Sequence, residues 1–392
     1  MTSGPLDLKT AGPLGLYIHI PFCKKKCNYC DFVSYAGKEE LVDAYVQALC
    51  REIKGLRDPS TGLGVNRGTE ELGTIYFGGG TPTLLEPKHF DQILNALITH
   101  YALRITDYEI TIEANPGTAD KAKLKELRRL GINRLSIGVQ SFNDKHLSAL
   151  GRIHDAATAK QFYLDARAAG FENINLDLIF ALPNQTLDEW KIDLQTAVDL
   201  GPEHLSTYNL QIEEGTPLYK IINNQETIAK QYPITKFQLP SEEEDLAMYE
   251  YTIETLKNAG YRHYEISNFA KPGFECRHNI NYWKMGNWLG IGAGAHSHID
   301  GKRWSNPNCI EEYCSASKSP TSALETGILT QHQESIFMGL RLLDGLPADK
   351  FIGFEKEVEE LIKEGLLEAK NGNYRLTRHG LFLGNLVFER FV

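Results

Sequence analysis

The chain lacks any stretch of about 18 consecutive apolar residues, the length a membrane-spanning helix needs, so no transmembrane segment is expected. Its first residues, MTSGPLDLKT, lack a basic region followed by a long apolar run, and no signal peptide is expected either. Positive charge is in deficit. Lysine and arginine number 41 against 51 aspartates and glutamates, a formal net charge of −10. That balance argues against a protein held to nucleic acid mainly through phosphate contacts, although a local basic patch is compatible with it. Cysteines are few and odd in number, seven in all, and no secretion signal accompanies them. A disulfide framework is therefore not expected, and a reduced, cytoplasmic compartment is.

What is present is ordinary in bulk and informative in pattern. A hydrophobic share of 42% and a charged share of 23% suit a soluble globular chain. Its 392 residues allow one large domain and a smaller one. Short apolar runs at 14–20, 73–79, 108–114, 134–140, 173–182 and 204–212 read as strands. Helical patterns lie between them near 38–56, 87–100, 118–130, 143–150, 155–169 and 186–200. Such alternation predicts an α/β fold with a parallel sheet, and six units fit a partial (β/α)6 barrel. Residues 213–245 read as irregular, and a helix at 243–259 ends at Gly260, a good C-cap. Residues 261–310 are rich in aromatics, glycine and histidine. Near the end, EKEVEELIKEG reads as a helix, and LLEAKNGNYRLT as a hairpin about Asn371-Gly372. The expected organisation is a barrel domain over 1–245 and a C-terminal helical domain over 246–392, winged-helix-like from about 325. In so acidic a chain that module is expected to pack or cover rather than bind DNA.

Cys23, Cys27 and Cys30 follow the first strand with C-x3-C-x2-C spacing, in a loop spanning 21–34. Thiolates are soft ligands suited to iron–sulfur clusters. Three thiolates for the four irons of a [4Fe–4S] cluster leave one iron open to an outside chelator. A closed zinc site would need a fourth ligand, and His19, four residues ahead and within the strand, is the available candidate. The scattered Cys50, Cys276, Cys309 and Cys314 read as small buried hydrophobes.

This spacing, with the flanks YIHIPFC and CNYCDF, resembles the radical S-adenosylmethionine (SAM) family. Within that family it resembles the branch of oxygen-independent coproporphyrinogen III oxidases (HemN) and related heme chaperones (HemW). The resemblance runs over nearly the whole chain. It implies that the methionyl end of SAM chelates the open iron, and that an electron from the cluster can split the sulfonium to a 5′-deoxyadenosyl radical. It also implies SAM contacts from Gly79, Gly80 and Thr81, in the glycine-rich turn after the second strand. Glu113, Gln140, Arg152 and Asp177 fall at matching places in later units. A carboxylate suits the amine or ribose diol of SAM, and an arginine its carboxylate. Tyr17 and Tyr29 are carried over as ring contacts to SAM.

Two features distinguish the branches. The oxidases carry a fourth cysteine where this chain has Phe32, and they have a longer segment ahead of the cluster than the 22 residues before Cys23 here. In addition, His278-Asn279-Ile280-Asn281-Tyr282-Trp283 matches H-N-x-x-Y-W, a motif of the chaperone branch. The resemblance therefore implies heme binding, with His278 as a candidate ligand and Cys276, His296 and His298 as others. The expected function is transfer of heme to an acceptor protein, with an electron donor protein as a further partner. The expected partners include no nucleic acid and no stable membrane insertion, though transient membrane association is compatible. The alternatives are oxidative decarboxylation of coproporphyrinogen III, or radical modification of heme.

Overall fold

The computed structural model describes residues 13–55, 72–101, 108–223, 237–316 and 330–392. Six parallel strands carry the frame: β1 (Leu14–Ile20), β2 (Leu72–Gly79), β3 (Glu109–Ala114), β4 (Arg134–Gln140), β5 (Asn173–Phe180) and β6 (His204–Asn209). They pair in sequence order, each beside the next. This is the expected partial barrel, and the strands begin within a residue of the predicted positions. The fifth stops at Phe180 because Ala181 and Asn184 turn to positive φ, 56° and 55°, which ends the extended run.

Every residue of β1 but Tyr17 is buried, and β2 and β4 are nearly as enclosed. Strands covered on both faces read as continuous apolar runs, which is why the sequence pattern marked them so sharply. The covering helices are α1 (Val42–Gly55), α2 (Pro87–Tyr101), α3 (Lys121–Arg129), α4 (Asp144–Ala149), α5 (Ala156–Ala168) and α6 (Leu187–Leu200). Their starts are fixed by side-chain caps: Asp120 for α3, Asn143 for α4, Asp155 for α5, and a Thr186–Glu189 capping box for α6. A short helix, α7 (Pro217–Asn223), lies in the stretch expected to be irregular, of which 224–236 is outside the described residues. Then α8 (Glu242–Asn258) opens with a Ser241–Glu244 capping box.

The chain beyond 245 continues the same sheet. Strands β7 (Arg262–Glu265) and β8 (Asn268–Ala270) form a hairpin whose β8 lies antiparallel to β6. Helix α9 (Arg277–Trp283) holds the H-N-x-x-Y-W residues. Then β9 (Trp288–Ile291) runs parallel to β1, with Gly15 opposite Trp288 and Ile18 opposite Ile291. Strands β10 (His296–Ile299) and β11 (Lys302–Ser305) complete an eleven-stranded sheet, in the order β11-β10-β9-β1-β2-β3-β4-β5-β6-β8-β7. Both outer strands of the six-unit series are thereby paired, which removes the exposed amides a bare edge would present.

The last segment has the expected winged-helix character. Helix α10 (Gln331–Gly339), strand β12 (Leu346–Pro347), helix α11 (Glu355–Lys363) and the hairpin β13 (Leu367–Lys370) with β14 (Asn373–Leu376) surround a core of their own, with Leu361 and Phe391 fully buried. Asn371 and Gly372 turn the hairpin at φ 54° and 83°, the left-handed pair a two-residue turn demands. This module is stitched to the edge of the large sheet, Leu343 N–H donating to Tyr264 O and Ile266 N–H to Arg341 O. Among the described residues no helix is long and apolar enough to cross a membrane.

Candidate metal and cofactor site

The C-terminal ends of the parallel strands open onto a cavity of about 560 Å3. Cys23, Cys27, Cys30, Tyr29, Gly79, Gly80, Thr81, Glu113, Gln140, Arg152 and Asp177 all line it. Residues spread over five strand–loop junctions and 155 positions of sequence thus meet around one space. Tyr17 does not line it. Its ring lies one layer deeper, stacked 6.2 Å from Tyr76. A wider, open groove of about 1000 Å3 along Glu86, Lys123, Thr158 and Asp165 holds none of the residues singled out from the sequence.

The cysteine loop is held at several points. At its start, Phe22–Cys23 pairs in parallel with Tyr35–Ala36. In the middle, Asn28 N–H donates to Leu150 O and its side-chain amide to Ala149 O, while Asn28 O accepts from Leu218 N–H. At its end, His19 Nε2 lies 2.8 Å from Val33 O. The glycine turn braces it from beneath, Gly80 N–H donating to Ile20 O and Thr81 N–H to Phe22 O. Contact there is so close that a Cβ on Gly80 would meet Phe22 O at 2.6 Å and Cys23 Sγ at 3.1 Å. Gly79 takes φ 115°, and a Cβ on it would meet the His19 ring at 2.5 Å. Only glycine fits either position. Thr81 Oγ1 sits 3.7 Å from Cys23 Sγ and accepts a hydrogen bond from the Asn115 amide.

Burial pushes the Cys23 and Cys30 thiols up, and their neighbouring cysteines add to it. Among the described residues no three Cys, His, Asp or Glu side chains are close enough to share one metal ion. A cubane does not require that, since each thiolate takes a different iron. Arg152 reaches the same wall. Its guanidinium donates to Cys27 Sγ at 3.4 Å, to Gly138 O at 2.6 Å and to Asn115 Oδ1. Its buried Nε has no partner, a donor left over for a ligand.

The carboxylates form the opposite wall. Tyr76 hydroxyl donates to Glu113 Oε1 at 2.9 Å and Gly79 N–H to Oε2 at 3.0 Å. Burial, with Asp177 nearby, raises the Glu113 carboxyl to about 7 against the pull of those two donors. Asp177 accepts from Ser136 at 3.0 Å and from Asn175 at 2.8 Å, and burial raises it too. Gln140 adopts φ 69° at a break in the register between β4 and β5, a backbone state uncommon outside glycine and typical of ligand clamps. Tyr76 and Asn115 also line the cavity, and the sequence had not singled them out. The available signals were the two-residue period of β2, which sends Tyr76 and Gly78 to one face, and the position of Asn115 two residues after Glu113.

The structure does not bring the heme candidates to this cavity. His278 is 1% exposed, with Nδ1 2.7 Å from Thr74 Oγ1 and Nε2 2.8 Å from the Tyr282 hydroxyl. Burial, reinforced by Arg134, lowers it to about 3, so the ring is neutral. Cys276 is fully buried, and burial raises its thiol to about 12. His298 packs on Trp288, its Nδ1 3.1 Å from Gly286 O. His296 is exposed.

Three thiols on one wall, an unpaired arginine donor beside them and a glycine cradle facing two carboxylates fit a thiolate-bound cluster with a ligand carrying both an anionic and a donor-rich end. The comparisons agree. The radical SAM superfamily model matches residues 17–197, and the HemN C-terminal domain model residues 330–383. Heme chaperone HemW of Lactococcus lactis is 36% identical, the match covering 97% of this chain and 97% of that one. Heme chaperone HemW of Escherichia coli is 35% identical, covering 97% and 98%. Among solved structures, coproporphyrinogen III oxidase (HemN) from Escherichia coli, a radical SAM enzyme, aligns with a TM-score of 0.74 at 26% identity, covering 98% of this chain and 91% of that one. The chain belongs to the HemW heme chaperone family of the radical SAM superfamily.

Proposed function

We propose that this chain binds heme and passes it to an acceptor protein, with a [4Fe–4S] cluster on Cys23, Cys27 and Cys30 and SAM beside it. Gly79, Gly80 and Thr81 would take the methionyl end, Arg152 its carboxylate, and Glu113, Asp177 and Gln140 the amine and ribose, with Tyr29 against the ligand. When bound, the cluster supplies one-electron chemistry and an open iron site. The protein's own residues hold and orient the ligand and set its protonation: Thr81 braces Cys23, Asn28 pins the loop, and Glu113 accepts from the ligand once it has lost its proton.

The observation that carries heme handling over porphyrinogen oxidation is Phe32. At the position of the oxidases' fourth cysteine it presents a ring 69% exposed at the cavity mouth. An apolar ring there suits contact with a flat macrocycle or a docking protein and cannot ligate iron. His278 is the proposed heme ligand, after giving up one of its two hydrogen bonds. An electron donor protein would approach the cluster loop. A cytoplasmic location, with transient membrane contact during delivery, fits this reading.

The test is anaerobic reconstitution of the cluster followed by parallel assays. Saturable heme binding and transfer to an apo-hemoprotein, with no CO2 released from coproporphyrinogen III, is the expected result. Catalytic conversion of coproporphyrinogen III would replace this reading with the oxidase one, which the alignment to HemN favours.

A further inference from the structure

We propose that His278 is a positioning residue for the SAM cavity, holding the Tyr76–Glu113 pair from behind, so that its use as a heme ligand and an ordered SAM site oppose one another. The heme half of this rests on the heme transfer proposed above, and the SAM half on the contact between Glu113 and SAM proposed there.

Strands β2 and β3 each work at both ends. On β2, Thr74, Tyr76 and Gly78 share a face, and on β3, Glu109 and Glu113 do. The C-terminal ends of these strands carry Gly79 and Glu113 into the cavity. The N-terminal ends grip helix α9. Glu109 accepts from the N–H groups of Arg277 and His278, each at 3.3 Å, at the open start of that helix. Thr74 pairs with Glu109 across the two strands and holds His278 Nδ1.

Between these ends the His278 ring lies flat against Tyr76, centroids 5.0 Å apart and planes inclined by 25°. Tyr76 in turn donates to Glu113. Tyr17 completes the layer, 6.5 Å from His278. The imidazole is thus the backstop for a ring that orients a cavity carboxyl. On the other side the Tyr282 hydroxyl fixes His278 Nε2, so both ring nitrogens are engaged.

Ligation of iron needs a free ring nitrogen and open space beside it. Neither exists while His278 backs Tyr76. Moving the imidazole toward heme breaks its contact with Thr74 or Tyr282 and withdraws support from Tyr76. Because coupling between two ligands is reciprocal, SAM should weaken heme binding by the same factor by which heme weakens SAM binding. A stacked aromatic pair of this kind corresponds to roughly threefold to tenfold in affinity.

The experiment uses the full chain with its cluster reconstituted. SAM affinity is measured by equilibrium dialysis, and its contact with the cluster by the change SAM produces in the electron paramagnetic resonance of the reduced cluster. His278→Ala is expected to weaken SAM binding roughly threefold to tenfold with iron content unchanged. His278→Phe keeps a ring on Tyr76 without either nitrogen, and is expected to retain near-native SAM affinity. Unchanged SAM affinity in a folded His278→Ala protein, or equal losses in both variants, overturns the positioning role. If the alanine variant does not fold, the phenylalanine variant decides alone: near-native SAM affinity supports the role, and a loss as large as that predicted for alanine refutes it. Heme titration of the unmodified protein with and without saturating SAM tests the opposition. Weaker heme binding in the presence of SAM is expected, and SAM-independent heme affinity refutes it. Failure of heme to bind at all would sink the proposed function and leave the SAM result standing.

Discussion

The Glu113 carboxyl should make SAM binding depend on pH near neutrality. In the ligand-free protein this group is raised from 4.5 to about 7, chiefly by burial and further by Asp177, with Tyr76, Gly79 and Arg134 pulling it down. A ligand that offers N–H or O–H donors needs the carboxylate. Below about 7, binding must therefore expel a proton, while above it no such cost exists. For a group titrating near 7, affinity falls about twofold at pH 7 and about tenfold at pH 6 relative to pH 8, the last equal to about 1.4 kcal/mol. The perturbation is Glu113→Gln, which keeps an acceptor oxygen and cannot titrate. SAM titrations of both proteins from pH 6 to 8, with cluster content held equal, isolate this carboxyl from any titration of the ligand or of the cluster. The difference in slope should be close to one proton below pH 7. Parallel pH dependence in the two proteins would refute the reasoning. The stability sign is opposite. Since the folded state holds this proton more tightly than the unfolded chain, the contribution of Glu113 to ligand-free stability is fully present below about 4.5. It is lost as pH rises through 7. Glu113→Gln should accordingly raise the thermal midpoint of the ligand-free protein at pH 8 while weakening SAM binding there.

Cys27→Ser should abolish the iron–sulfur absorbance of reconstituted protein, and a full [4Fe–4S] spectrum in that variant would disprove the ligand assignment. Gly80→Ala drives a methyl into Phe22 O and Cys23 Sγ, so the cysteine loop must move. The fold should survive by circular dichroism while reconstituted iron falls by half or more. Leu361→Ala empties part of the separate C-terminal core, at a cost of about 2–5 kcal/mol. That module should melt ahead of the barrel in calorimetry, with SAM binding retained; a single unshifted transition would contradict its having its own core.

Much of the barrel was legible because its strands are enclosed on both faces. A buried parallel strand leaves no room for polar alternation, so LGLYIHI and RLSIGVQ stand out in sequence, and glycine or proline marks the turns between. The cysteine loop and the glycine turn were legible for a related reason, since their chemistry needs those residue types close together in the chain. What escaped were contacts between distant segments. Pairing of β9 with β1 has no local signature, because an edge strand records nothing of which neighbour will cover it. The same holds for Asn28, whose value lies in carbonyls at Ala149 and Leu150, and for Thr81, which supports a thiol 58 positions away. His278 shows the difficulty most plainly. Its motif marks it as important, but only the fold reveals that Thr74, 204 positions earlier, occupies one of its nitrogens.

The parallel pairing of β1 with β9 also has a consequence during synthesis. Strand β1 carries the cysteine loop, yet one of its flanks stays uncovered until Trp288–Ile291 has left the ribosome. At 5–20 residues per second, that interval lasts roughly 15–50 s. Throughout it the thiols are present on a sheet with an open edge, exposed to oxidation and to strand exchange with other nascent chains. Iron is therefore expected to load productively only once Trp288–Ile291 has paired with β1, since before that the foundation of the cysteine loop is half built.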